Sequence, residues 1–118
     1  KALNLFLQMT LTLPHPLLCG YWGFTPFPWL MILSNKYANH AALIAHEKCH
    51  QAQQQRDGWL TFWRRYLFSK DWRYIYELEA YRVWLNVAPT DFWKVVSMMK
   101  NYGFTVSEAD IISALSKR

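Results

Sequence analysis

The chain has 118 residues, of which 53% are apolar, 18% aromatic and 18% charged. That length excludes a second independent core, and that composition excludes a disordered chain. Thirteen Lys and Arg against eight Asp and Glu give a net charge of +5; the two cysteines, Cys19 and Cys49, are too few for a disulfide framework.

Residues 3–13 come first. Leu3, Leu5, Leu7, Met9, Leu11 and Leu13 are apolar and alternate with Asn4, Gln8, Thr10 and Thr12, with Phe6 breaking the pattern. Period two predicts a half-buried strand here and not the core of a secretory signal. Pro14, Pro16 and Gly20 end that strand and turn the chain. Residues 21–24 form a short second strand. Pro26 and Pro28 lead into the continuous apolar run 29–34, a third strand whose leading prolines suit an edge position. Residues 35–39 are a loop, with Asn39 as the cap of a helix over 40–56 that Gly58 terminates. A second helix spans 59–68, and Asp71 caps a third that runs through Asn86 and stops at Pro89. A fourth starts at Thr90 or Asp91 and ends at Gly103. Ser107 with Asp110 resembles a capping box before a last short helix ending near Lys117. Strands first and helices later predict an α+β fold in a single domain over residues 1–118, with a small, mostly antiparallel N-terminal sheet. No apolar run is long enough for a transmembrane helix.

The helix over 40–56 carries His46-Glu47-Lys48-Cys49-His50. Residues four apart on a helix stack one turn above each other, so both imidazoles reach one ion. Glu47 lies about 100° round the helix and approaches water at a third position. The arrangement supplies two neutral nitrogen ligands and a carboxylate base, unless the two histidines are ordinary residues of a solvated helix. A catalytic zinc takes a third protein ligand, and the candidates are Glu77 and Glu79 in Tyr76-Glu77-Leu78-Glu79-Ala80-Tyr81-Arg82. They are separated by about 200° of helix rotation, so only one serves. His15 and His40 are read as loop and helix-start residues, and Cys49 as a small buried hydrophobe.

His46-Glu47-x-x-His50 with the downstream Glu77 resembles the gluzincin metallopeptidases, in particular small bacterial and phage proteins with the same pairing of motifs. The resemblance covers residues 26–86. It implies a minimal zincin-like fold with the active-site helix packed beneath the sheet. It also implies a zinc ion held by His46, His50 and Glu77, and an edge strand, residues 29–34, that pairs with a peptide substrate. Tyr81 stands where the family has an Asp that orients a ligating His.

The expected function is therefore a zinc-dependent metallopeptidase with Glu47 as general base, acting on a peptide or protein. The alternative is a noncatalytic zinc-containing binding or structural protein, for example a phage or secretion-system component. A nucleic-acid partner is not expected, because the net charge is modest and no recognition motif is present. A cytoplasmic or virion-associated location is expected over a secreted one. Residues 48–73 hold six cations (Lys48, Arg56, Arg64, Arg65, Lys70, Arg73) and two acids (Asp57, Asp71). Trp59, Phe62, Trp63, Tyr66 and Leu67 recur there at helical spacing. Core packing is the first explanation of these aromatics, and contact with a membrane surface or a partner is the second.

Overall fold

A computed structural model describes residues 8–18 and 21–117. It holds three strands, β1 (Met9–Leu13), β2 (Gly23–Phe27) and β3 (Leu30–Ser34). Five helices follow: α1 (Ala41–Asp57), α2 (Trp59–Phe68), α3 (Lys70–Val87), α4 (Phe92–Lys100) and α5 (Glu108–Ser116). Short 3-10 turns occupy His15–Leu18, Asn35–Tyr37 and Pro89–Asp91.

The fold is α+β and mostly helical, but its sheet is mixed and not mostly antiparallel. The strand order is β1-β3-β2, with β1 parallel to β3 and β2 antiparallel to it. The strands β1 and β2 therefore lie on opposite sides of β3. The run read as an edge strand is thus the central one. Pro28 sits in the turn between β2 and β3, where its missing N–H removes no ladder bond. Leu30–Ser34 is at least half-buried along its whole length, as its unbroken apolar sequence requires of a strand covered on both faces. In β1, residues 9–12 are exposed; the earlier part of the predicted strand and Cys19 lie outside the described residues. Gly23 lets β2 approach, because a Cβ there would stand 2.8 Å from Leu33 Cδ2 and 2.9 Å from the Ile32 carbonyl oxygen.

Helices α1, α3 and α5 start where a side chain caps them, within a residue or two of expectation, whereas α2 and α4 start without one. His40, not Asn39, caps α1: its Nδ1 accepts from the Leu43 N–H at 3.1 Å. Ser69, not Asp71, caps α3 through the Trp72 N–H, and Ser107 caps α5 through the Asp110 N–H. Gly58 ends α1 with φ at 87°, a conformation glycine adopts without steric cost.

The apolar core joins the sheet to the helices. Met31 and Leu33 of β3 meet Ala42 and Leu43 of α1, then Trp84 and Leu85 of α3, Val95, Val96 and Met99 of α4, and Ile111 and Leu115 of α5. Helix α1 lies against β2, β3, α2 and α3. Most of its buried positions are nevertheless polar: His46, Glu47, His50, Gln51, Gln53 and Gln54. Burying such groups costs free energy unless each finds a partner, so this helix is where the fold gives up apolar packing for chemistry.

Candidate metal centre

Helical phase divides the buried polar residues of α1 into two adjacent stripes. His46, His50 and Gln53 follow i, i+4, i+7 spacing and meet α3. Glu47 and Gln54, seven apart, meet β2.

On the first stripe, His46 Nε2 and His50 Nε2 are 3.2 Å apart. Glu77 Oε1, from α3, is 3.2 Å from the first and 3.3 Å from the second. All three side chains are buried. Donors at about 2.0–2.2 Å from a tetrahedral zinc stand about 3.3–3.5 Å from one another, so the triangle has the size of one face of that tetrahedron. Glu77 Oε1 is a buried oxygen with no hydrogen bond of acceptable geometry. Two imidazole nitrogens and a carboxylate oxygen that converge this closely could hold a cation at their centre.

The three groups are strongly coupled electrostatically. Burial works against charge on His50, yet the neighbouring Glu77 carboxylate overcomes it and raises the imidazole to about 9. Burial likewise works against charge on Glu77, and the two imidazoles overcome it and hold the carboxyl far below its ordinary range. Glu79 is excluded from this triangle. Its Oε1 accepts from Gln53 Nε2 at 2.7 Å, and its Oε2 faces Arg56 at 3.4 Å on the surface. Of the two glutamates that helix rotation left open, Glu77 is the one whose carboxylate lies beside both imidazoles.

Each member of the triangle is held differently. His50 Nδ1 donates to Gln53 Oε1 at 2.7 Å, which leaves Nε2 unprotonated when the ring is neutral and aims it at the centre. Gln53 is itself anchored through its amide nitrogen to the Tyr76 carbonyl at 3.0 Å and to Glu79. Glu77 Oε2 accepts a hydrogen bond from the Tyr66 hydroxyl. Burial, followed by the adjacent carboxylate, pushes the Tyr66 phenol far above its usual range and keeps it a donor. His46 has no such support. Its Nδ1 is buried without a partner among the described residues, and Tyr81 packs beside the ring at 4.3 Å between centroids while its hydroxyl lies 3.2 Å from that of Tyr102. The tyrosine does not take over the orienting role expected of an Asp at that position.

On the second stripe, Glu47 stands beside the triangle and outside it, with Oε2 3.9 Å from His46 Nε2. Thr25 Oγ1 donates to its Oε1 at 2.9 Å. Gln54 Nε2 donates to the Thr25 carbonyl at 2.7 Å, so α1 fixes the strand segment that in turn fixes Glu47. Trp59 and Trp63 both donate their indole N–H to the Pro26 carbonyl, at 2.8 and 2.9 Å.

The triangle and Glu47 open into a cleft of about 710 Å³. Its walls include Leu17, Tyr21 and Phe24 on the β2 side and Phe62, Trp63 and Tyr66 on α2. The strand that borders it is β2, a sheet edge, whereas residues 29–34 are central and cannot receive a peptide. Thr25 and Gln53 are the functional neighbours that the motif reading missed. Spacing could have found Gln53, three residues after His50 on the same face. Nothing in the sequence marks Thr25, which comes from another element. Tyr66 presents its hydroxyl side at the cleft, where a group could stabilise an oxyanion. Tyr74 packs on Phe104, Tyr76 donates to Asp57, and Arg82 donates to the Ala114 carbonyl. Cys49 is partly buried, and burial raises its thiol to about 12, which suits a packing role.

No family model matches the sequence, and the comparisons with curated proteins and with solved structures found no match.

Proposed function

We propose that this chain is a small zinc-dependent peptidase. The observation that carries the reading is the triangle of His46, His50 and Glu77 donor atoms, 3.2–3.3 Å apart, with the Glu47 carboxylate beside it at the floor of a cleft. Two imidazoles and one carboxylate oxygen form a donor set suited to zinc, and three protein ligands leave a coordination position open. Zinc bound there supplies Lewis-acid polarisation of a carbonyl and lowers the pKa of water. The resemblance of His46-Glu47-x-x-His50 and Glu77 to the gluzincins points the same way.

The remaining steps belong to the chain's own groups. Glu47 accepts a proton from the attacking water at its Oε2 and delivers it to the departing amine nitrogen. Thr25 occupies Oε1 and keeps the other oxygen facing the reaction. Tyr66 holds Glu77 in place and presents a protonated hydroxyl at the cleft. An extended peptide lies along β2 and pairs with its outer edge. The pairing is short and centred on Gly23, because Phe24 turns its backbone groups to Ile32 of β3, the Thr25 and Pro26 carbonyls are taken by Gln54, Trp59 and Trp63, and Pro26 has no N–H.

A second reading, a noncatalytic zinc protein, is favoured by one feature: His46 Nδ1 has no acceptor among the described residues to orient the ring. One experiment separates the two. Wild type and Glu47→Gln are brought to equal zinc content, measured by elemental analysis, and incubated with a mixed peptide library read by mass spectrometry. The peptidase reading expects about one zinc per chain in both and a loss of cleavage of about a hundredfold or more in the variant. Equal cleavage removes Glu47 from the mechanism, and a zinc-loaded wild type that cuts nothing supports the noncatalytic reading.

A further inference from the structure

Helix α2 divides its residues between two environments. Phe62 is buried against Tyr66 and Tyr76. The opposite side presents Leu60 at 72% exposure, Leu67 at 57% and Phe68 at 83%, with the exposed Arg64 among them. At about 100° per residue these four fall within one arc of about 100°. The apolar surface continues past Trp59 onto the turn between β2 and β3. Phe27 stacks on Trp59 at 5.5 Å and on the exposed Trp29 at 5.1 Å. Large apolar side chains gathered this way on a surface mark a contact site, whereas a solvated helix face would carry polar residues.

We propose that this face docks on an anionic lipid surface. The charge pattern chooses the occupant. Neither α2 nor the turn at Pro28–Trp29 carries an acidic residue. Of the flanking acids, Asp57 is engaged by Arg56 and Tyr76, and the exposed Asp71 lies on α3, beyond the end of α2. A second copy packed face to face would bring two Arg64 guanidiniums into an apolar contact with no carboxylate between them. Phosphate headgroups supply the missing negative charge while the acyl boundary receives the leucines and aromatics. The indole N–H of Trp59 is already bonded to the Pro26 carbonyl, so that ring can enter an apolar layer without stranding a donor. Among the described residues no helix is long and apolar enough to cross a membrane, so the contact is peripheral. This surface is independent of the metal centre.

Sedimentation with extruded vesicles tests the proposal, using phosphatidylcholine alone and phosphatidylcholine mixed with phosphatidylglycerol. The protein should pellet with the mixed vesicles and much less with the neutral ones. Arg64→Gln should weaken that binding roughly fivefold. The double variant Leu60→Ser, Phe68→Ser should weaken it by about tenfold or more. Both changes sit on exposed positions, and circular dichroism and the thermal midpoint verify the fold. Three results would overturn the proposal: no pelleting with either vesicle, equal pelleting with both, or variants that pellet like the wild type. A dimer in analytical ultracentrifugation that the double variant abolishes would also overturn it, by assigning the face to a second copy.

Discussion

Gln53 offers the sharpest test of how the metal centre is held. It is buried, and its carbonyl oxygen is the hydrogen-bonding partner of His50 Nδ1 among the described residues, at 2.7 Å. Gln53→Met keeps the length and volume of the side chain and removes both the acceptor and the donor. The His50 ring is then free to rotate or to place its proton on Nε2, the nitrogen the centre needs. Loss of such an outer partner ordinarily weakens metal affinity by about 10–100-fold, or roughly 1.4–2.7 kcal/mol. The Tyr76 carbonyl also loses the amide that bonds it at 3.0 Å, which costs folding stability of about 1 kcal/mol. The two effects are read separately: zinc affinity by competition with a chromogenic chelator, and stability of the metal-free protein by urea titration. Affinity within about twofold of wild type, in a protein that still folds, would refute the assignment of Gln53 as the residue that sets the His50 tautomer.

The other predictions concern the carboxylates around the same helices. Glu77→Gln should weaken zinc binding by roughly a hundredfold or more, and Glu79→Gln by less than about tenfold, because Glu79 reaches the centre only through Gln53; chelator competition ranks the two, and the reverse order would move the ligand. Asp57 accepts from Arg56 Nε at 3.0 Å and from the Tyr76 hydroxyl at 2.6 Å. Arg56 above all, with help from Tyr76 and Arg65, lowers the Asp57 carboxyl below its ordinary value. A carboxyl whose folded pKa is depressed stabilises the fold fully above its unfolded value of about 3.9, and that contribution is lost as pH falls through the folded pKa. Asp57→Asn should therefore lower the thermal midpoint near neutral pH, and the gap to wild type should close in strong acid. A gap that stays constant with pH would show that charge at Asp57 plays no part.

The parts of this molecule that were legible in the sequence are those fixed by local rules. Helix α1 and its two histidines follow from 3.6-residue geometry, and Gly58 ends the helix because its backbone angle suits glycine. The cap at His40 was not legible, because an imidazole nitrogen there does what Asn39 would ordinarily do. The sheet was misread for a nonlocal reason. Whether an apolar run is central or at an edge depends on where the neighbouring strands fall, and the path from β1 to β2 around β3 is a tertiary choice. Thr25 is the extreme case. It is an ordinary strand residue until the packing of α1 on β2 brings it to Glu47, 22 positions away in sequence.

The two polar stripes of α1 bear on whether the site is catalytic. Holding an ion requires only the stripe that faces α3: His46, His50 and Glu77, steadied by Gln53. A structural metal site would be complete with that much, and the positions facing β2 could then be apolar like Leu43. They are instead Glu47, 4% exposed, and Gln54, 1% exposed, both tied to Thr25. Burying a carboxylate there costs free energy that one hydroxyl does not return in full. A carboxylate at such a cost, beside the His46, His50 and Glu77 donor atoms and at the floor of a cleft, supports the proposal that Glu47 serves to accept a proton.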